Sequence, residues 1–100
     1  MNFVVPQAKI TNYLLKDFGK RQFFQAQGYT AQNWQVLRRD LILLAQTFPR
    51  TLRQQSKYGD EYEIIGAVVA PNGKTIRLKT GWIIDSGETP TMRFVTAYPA

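Results

Sequence analysis

Residues 34–48, WQVLRRDLILLAQTF, run directly into Pro49 and then into residues 50–69, RTLRQQSKYGDEYEIIGAVV, and the chain changes architecture at that proline. In the first stretch Trp34, Leu37, Leu41, Leu44, Ala45 and Phe48 recur every three or four residues, the spacing that gives an α-helix one apolar stripe. Thr30 is placed to cap the start of this helix, and Pro49, which has no backbone N–H to donate, closes it. Past Pro49 the period becomes two and β-branched and aromatic residues accumulate, the pattern of strands.

Working outward from this boundary, the spacing of Ile10, Tyr13 and Leu14 predicts a short helix over about Ala8 to Lys16, broken by Gly19. A second short helix carries Phe23, Phe24 and Ala26 and stops at Gly28. An extended Phe3-Val4-Val5-Pro6 precedes both. Downstream, Arg50 to Ser56 reads as a polar edge strand, Glu61 to Val69 as a stronger one, Thr75 to Ile84 as its return strand and Thr91 to Tyr98 as the last. Pro71-Asn72-Gly73 supplies an Asn-Gly pair suited to a tight hairpin, because both residues tolerate positive φ. Asp85 to Pro90 forms the next loop. Helices followed by strands predict a single α+β domain over residues 1–100, with three N-terminal helices packed on one face of a four-stranded antiparallel sheet.

The charge is placed unevenly along this plan. Residues 1–56 carry eight basic side chains, Lys9, Lys16, Lys20, Arg21, Arg38, Arg39, Arg50 and Arg53, against Asp17 and Asp40, a balance of +6. The strand half is neutral, with Lys57, Lys74, Arg77, Lys79 and Arg93 matched by Asp60, Glu61, Glu63, Asp85 and Glu88. A field of one sign over half a molecule suits a polyanion such as nucleic acid, or an acidic protein, although simple solubility also accounts for it. The apolar runs are far shorter than the roughly 18 residues of a membrane helix, and the first 15 residues lack a secretory signal's pattern, so no membrane role and a cytoplasmic location are expected.

The chain has neither histidine nor cysteine, which removes the usual general base, the thiol nucleophile and most transition-metal ligands. Its acidic residues are few and scattered, and its glycines are isolated, so neither a carboxylate metal set nor a phosphate-cradling loop is present; no metal and no cofactor are expected. Chemistry built from Lys, Arg, Tyr, Thr and Ser suits RNA cleavage. The ribose 2′-hydroxyl is a nucleophile already held near the phosphorus, so a protein need only orient it, stabilise the phosphate charge and move protons. DNA lacks that hydroxyl.

On the third expected strand Arg77 and Lys79 share a face opposite Ile76, Leu78, Trp82 and Ile84. On the last, strict alternation puts Thr96 and Tyr98 on one side and Arg93 on the other, so Arg93 and Tyr98 line one site only if a bulge or the strand end redirects one of them. Without any function, Arg77, Lys79 and Arg93 read as solvated strand residues paired with Glu61 and Glu63. Phe23, Phe24, Trp34 and Trp82 read as core, and Arg38 and Arg39 as the polar face of the long helix.

Two segments resemble known proteins. Gly19-Lys20-Arg21-Gln22-Phe23-Phe24 with Gly28-Tyr29, Trp34 and Leu37, and then Lys79-Thr80-Gly81-Trp82-Ile83-Ile84 with Arg93-Phe94-Val95-Thr96-Ala97-Tyr98-Pro99, resemble a family of uncharacterised bacterial domains of about this length. The closing Val-Thr-Ala-Tyr-Pro strand and the order of helices before strands are also similar to the broader barnase, EndoU, colicin and RelE-like (BECR) ribonuclease superfamily. That resemblance implies a metal-independent ribonuclease of a toxin-antitoxin type system, with RNA as substrate and a small acidic antitoxin as protein partner. It puts Lys20 in the position of the helix-borne catalytic base or a phosphate ligand, and Lys79 on the basic strand position. Arg93, Thr96 and Tyr98 fall on the last-strand motif. In this reading Arg77, Lys79 and Arg93 hold the phosphate, Tyr98 is a general acid and Thr96 orients the ribose. The chain departs from the pattern at Lys79, where arginine is expected, and lysine binds phosphate as a point charge without a bidentate fork. The alternative is a non-catalytic basic module that binds nucleic acid or protein.

Overall fold

A computed structural model describes residues 1–85 and 91–100. The backbone runs through β1 (Asn2–Val4), α1 (Gln7–Lys9), a π-helical turn (Ile10–Leu14), α2 (Phe18–Ala26), α3 (Trp34–Thr47), β2 (Arg50–Ser56), β3 (Gly59–Val69), β4 (Thr75–Asp85) and β5 (Thr91–Pro99). All five strands join one sheet in the order β1-β5-β4-β3-β2. β2 to β5 pair antiparallel with their sequence neighbours, whereas β1 runs parallel to β5 with Phe3 opposite Met92.

The expected four-stranded antiparallel sheet is thus corrected to a five-stranded mixed sheet, within the α+β class. β1 has three residues, too few to show a period of two, and its partner lies at the far end of the chain. Parallel neighbours need a long crossover, and here all three helices and three strands provide it. Of the expected loop from Asp85 to Pro90, Asp85 ends β4 and residues 86–90 lie outside the described residues.

The helices depart from expectation in their boundaries. Gly19 does not break a helix; it sits inside the first turn of α2, whose N-cap is Asp17, with Oδ1 accepting the Lys20 N–H at 3.2 Å. The first helix spans three α-helical residues and then widens into the π-helical turn, a form common at functional sites. Thr30 accepts the Asn33 N–H at 3.2 Å in a turn that precedes α3, so Asn33 takes the cap position and Thr30 lies one turn upstream. The β3–β4 hairpin is a type I turn over Pro71-Asn72 with a glycine bulge. The Gly73 N–H donates to Ala70 at 2.9 Å, and only Gly73 of the Asn-Gly pair takes a positive φ, 85°.

One face of the sheet is covered. Leu37, Leu41, Leu44 and Ala45 of α3, Phe24 of α2, and Ile10 and Leu14 of the π-helical turn bury against Ile64, Val68, Leu78, Trp82, Met92, Phe94 and Ala97. The buried positions of β3 and β4 alternate, as a half-covered sheet requires. Gly66 faces this core because a Cβ there would collide with the Phe48 ring. Two polar groups inside are satisfied. Thr80 donates to the Ile64 carbonyl at 2.7 Å and accepts Trp82 Nε1 at 2.7 Å, and the Tyr29 hydroxyl donates to Asp40 Oδ2 at 2.7 Å.

Burial, and then the Asp40 carboxylate beside it, push the Tyr29 phenol above the ordinary tyrosine range. The folded state therefore keeps a proton that the unfolded chain releases above about pH 10, so this stabilisation is whole below that pH and falls as pH rises through the folded value. Tyr29→Phe strands a buried carboxylate oxygen and should cost about 1–3 kcal/mol at pH 7. Its stability should also decline less steeply than that of the wild type at alkaline pH. Urea titrations of both proteins at neutral and alkaline pH check this, and equal midpoints at pH 7 would contradict it.

Candidate functional site

The site is built where α2 and the π-helical turn meet the free end of β5. β1 pairs with β5 only from Thr91 to Arg93, which leaves the edge of β5 beyond Arg93 to the helices. Two cross-links fasten it there. The Tyr13 hydroxyl and Thr96 Oγ1 are hydrogen-bonded at 2.8 Å, and Lys20 Nζ donates to the Ala97 carbonyl at 3.5 Å.

A bulge decides which side chains of β5 share a face. Trp82 of β4 pairs with Phe94, but Gly81 pairs with Thr96, so Val95 is an extra residue in β5. Before the bulge Met92 and Phe94 point into the core; after it Ala97 does, and it is fully buried. Arg93, Thr96 and Tyr98 consequently lie on the uncovered face, opposite Ile83, Gly81 and Lys79. Strict alternation would have separated Arg93 from Tyr98, and the bulge is what unites them.

The charged and aromatic side chains then form an alternating row. Lys9 Nζ lies 5.4 Å from the centre of the Tyr13 ring, and Lys20 Nζ lies 5.5 Å from Tyr13 and 5.0 Å from Tyr98. Lys79 Nζ lies 5.8 Å from the centre of the same Tyr98 ring. Each ammonium is attracted by the negative face of a ring and each ring spaces two ammonium groups. Beyond Lys79 the row ends at Glu63, whose Oε2 is 3.6 Å from Lys79 Nζ.

Beside the row is a depression of about 200 Å³ lined by Arg53, Glu63, Lys79, Gly81, Thr96 and Tyr98, among others. Gly81 is part of its lining, and a Cβ there would crowd Thr96 Cγ2 at 3.3 Å. The expected residues Lys20, Lys79, Thr96 and Tyr98 are thus brought together. Arg93 and Arg77 stand apart from them. Arg93 donates from Nε and Nη2 to Asp85 at 3.2 and 3.0 Å, and this guanidinium holds the Asp85 carboxyl below the usual carboxylate range. Arg77 is exposed on the same face, opposite Ala67.

Sequence reasoning missed Tyr13, Glu63, Arg53 and Gly81. Tyr13 read as an apolar helix position and Glu63 as a charge partner; the Gly81 to Trp82 step carried no local signal of the register shift. The expected core aromatics are confirmed, with Phe24 and Trp82 buried and Phe23 and Trp34 packed against them. Arg38 donates to the Val5 carbonyl at 3.0 Å and lies 4.4 Å from the centre of the Trp34 ring, so it ties α3 to the segment after β1. No helix among the described residues is long and apolar enough to cross a membrane.

The chain matches no curated protein and no solved structure. A family model does match it, from residue 1 to residue 100, and the chain belongs to that family, a domain of unknown function (DUF6883).

Proposed function

We propose that this domain is a metal-independent endoribonuclease of the toxin-antitoxin type, which cleaves RNA by attack of the 2′-hydroxyl on the adjacent phosphate. The observation that carries the reading is the convergence of Lys79 from β4 and Tyr98 and Thr96 from β5 around one depression, with Lys20 from α2 lying 5.0 Å from the same Tyr98 ring, although Lys20 and Tyr98 are 98 − 20 = 78 residues apart in the chain. Lys20 and Lys79, 5.0 and 5.8 Å from the centre of the Tyr98 ring, supply positive charge to a phosphate bound beside that ring. Tyr98, about two-fifths exposed, can give a proton to the departing 5′-oxygen, and Thr96, fixed by Tyr13, can orient the ribose. Arg77 and Arg93 extend the basic face to neighbouring phosphates. The similarity of the Lys20 segment and the last strand to the BECR ribonucleases supports the same reading. A small acidic antitoxin would then cover the row of lysines.

A second reading is favoured by one specific observation: Lys79 and Arg93 are both engaged by carboxylates. In a non-catalytic module that binds nucleic acid or protein, these pairs would shape a surface and no single cation would be indispensable. Induced expression in a bacterial host separates the two. Growth arrest with fragmented RNA is the expected result, and normal growth with intact RNA, given abundant folded protein, would favour the binding module.

A further inference from the structure

The residues assigned so far supply cations, a proton donor and a ribose contact, but no group ready to take the 2′-hydroxyl proton. An ammonium or guanidinium group has donors only, so the side chain able to accept that proton in a site of this composition is a carboxylate. Of the residues lining the depression, Glu61 and Glu63 carry one. Glu61 lies opposite Ile83, a step farther from the lysine row, whereas Glu63 lies opposite Gly81 and reaches Lys79 at 3.6 Å. The Glu63 side chain is only 20% exposed, and it shares the lining of the depression with Thr96, each of them paired across the sheet with Gly81.

We propose that Glu63 is the general base of this site. The assignment rests on the ribonuclease reading above. Lys79 lies 3.6 Å from Glu63 and 5.8 Å from the Tyr98 ring, so a phosphate held by Lys79 in the depression would have a carboxylate acceptor and a phenol donor among its neighbours. The 2′-hydroxyl proton passes to the Glu63 carboxylate as the 2′-oxygen forms its bond to phosphorus. The bond from phosphorus to the 5′-oxygen breaks, and that oxygen takes the Tyr98 phenolic proton. The products are a 2′,3′-cyclic phosphate and a free 5′-hydroxyl. Tyr98 and Glu63 regain their starting states by exchange with water, and no oxidant, reductant or metal enters. Lys79 has two tasks here: it neutralises a carboxylate that would otherwise repel RNA, and it turns toward phosphate when the carboxylate takes up the proton.

The test uses the full chain and a DNA oligonucleotide containing one ribonucleotide, with a fluorophore and quencher at its ends. Glu63→Gln keeps the side chain's shape and should lower kcat by about 10²- to 10⁴-fold. Its affinity for the all-deoxy oligonucleotide should be equal or tighter, and the acid limb of the wild-type pH–rate profile should flatten. If Glu63 only steadied Lys79, then Glu63→Gln would lose affinity as Lys79→Ala does and keep the wild-type pH profile, which would overturn the assignment. Wild-type cleavage with Glu63→Gln within threefold of it would also overturn the assignment, leaving the ribonuclease reading intact. No cleavage by the wild type would overturn both. Circular dichroism of Glu63→Gln, a substitution on the uncovered face of β3, confirms that the variant compared is folded.

Discussion

Lys20→Ala should lower the rate of RNA cleavage by about 10²- to 10³-fold, the usual cost of deleting one preorganised charge from a transition-state cradle. The contacts that hold this lysine add little to folding. Asp17 starts α2 so that Lys20 falls in its first turn, and the ammonium then crosses the edge of β5 to the Ala97 carbonyl and the Tyr98 ring. Its removal leaves no hole in the core, because Lys20 is not among the buried residues. The thermal midpoint should therefore move by only a few degrees, which separates loss of activity from loss of fold. Lys20→Arg should restore charge but not the ring-to-ring seat, and should recover activity only in part. Quantified cleavage of a labelled oligoribonucleotide by the three proteins is the check. Lys20→Ala within threefold of the wild type would remove Lys20 from the site.

The largest effect on stability is expected at Trp82. This side chain is 1% exposed and packs edge-on against Phe3 of β1 and Phe94 of β5, at centroid distances of 5.8 and 5.3 Å. Its Nε1 also donates to Thr80, which in turn donates to the Ile64 carbonyl, so one residue ties β1, β3, β4 and β5 together. Trp82→Ala should cost about 3–5 kcal/mol for the lost burial and the cavity, with a further loss where Thr80 forfeits its donor. Domains of this size are stable by about 5–15 kcal/mol, so the variant should lie near the threshold of folding. The urea midpoint should fall by about 2 M or more, and a fall below about 0.5 M would show that the aromatic cluster does not organise the sheet.

The strand half of the fold was legible because its pattern is strong and local. The β2 boundaries, Arg50–Ser56, coincide with the expected edge strand, and β3, β4 and β5 begin or end within two residues of expectation. β1 was not legible, since three residues carry no period and the pairing reaches across the whole chain. The helix starts were misjudged where a glycine competed with a better cap. Gly19 has the conformational freedom to stop a helix, but the Asp17 carboxylate bonds to the first turn and starts one through it. For the site, Lys20, Lys79, Thr96 and Tyr98 were named from resemblance and are brought together by tertiary structure. Arg93 illustrates the limit of alternation: the bulge at Val95 puts it on the face of Tyr98, and Asp85 at the end of β4 then claims its guanidinium. The roles suggested for Tyr13 and Glu63 depend on which strand and helix meet, and no local spacing announces that.

In the proposed reaction, RNA bound at the row of lysines and tyrosines is cut by its own 2′-hydroxyl. Product analysis by mass spectrometry, after incubating the purified domain in a chelator with an oligoribonucleotide and with its all-deoxy counterpart, tests it most directly. The expected products are RNA fragments ending in 2′,3′-cyclic phosphate with matching 5′-hydroxyl fragments, and intact DNA. Intact RNA, equal cleavage of the DNA, or fragments bearing 5′-phosphates would contradict it.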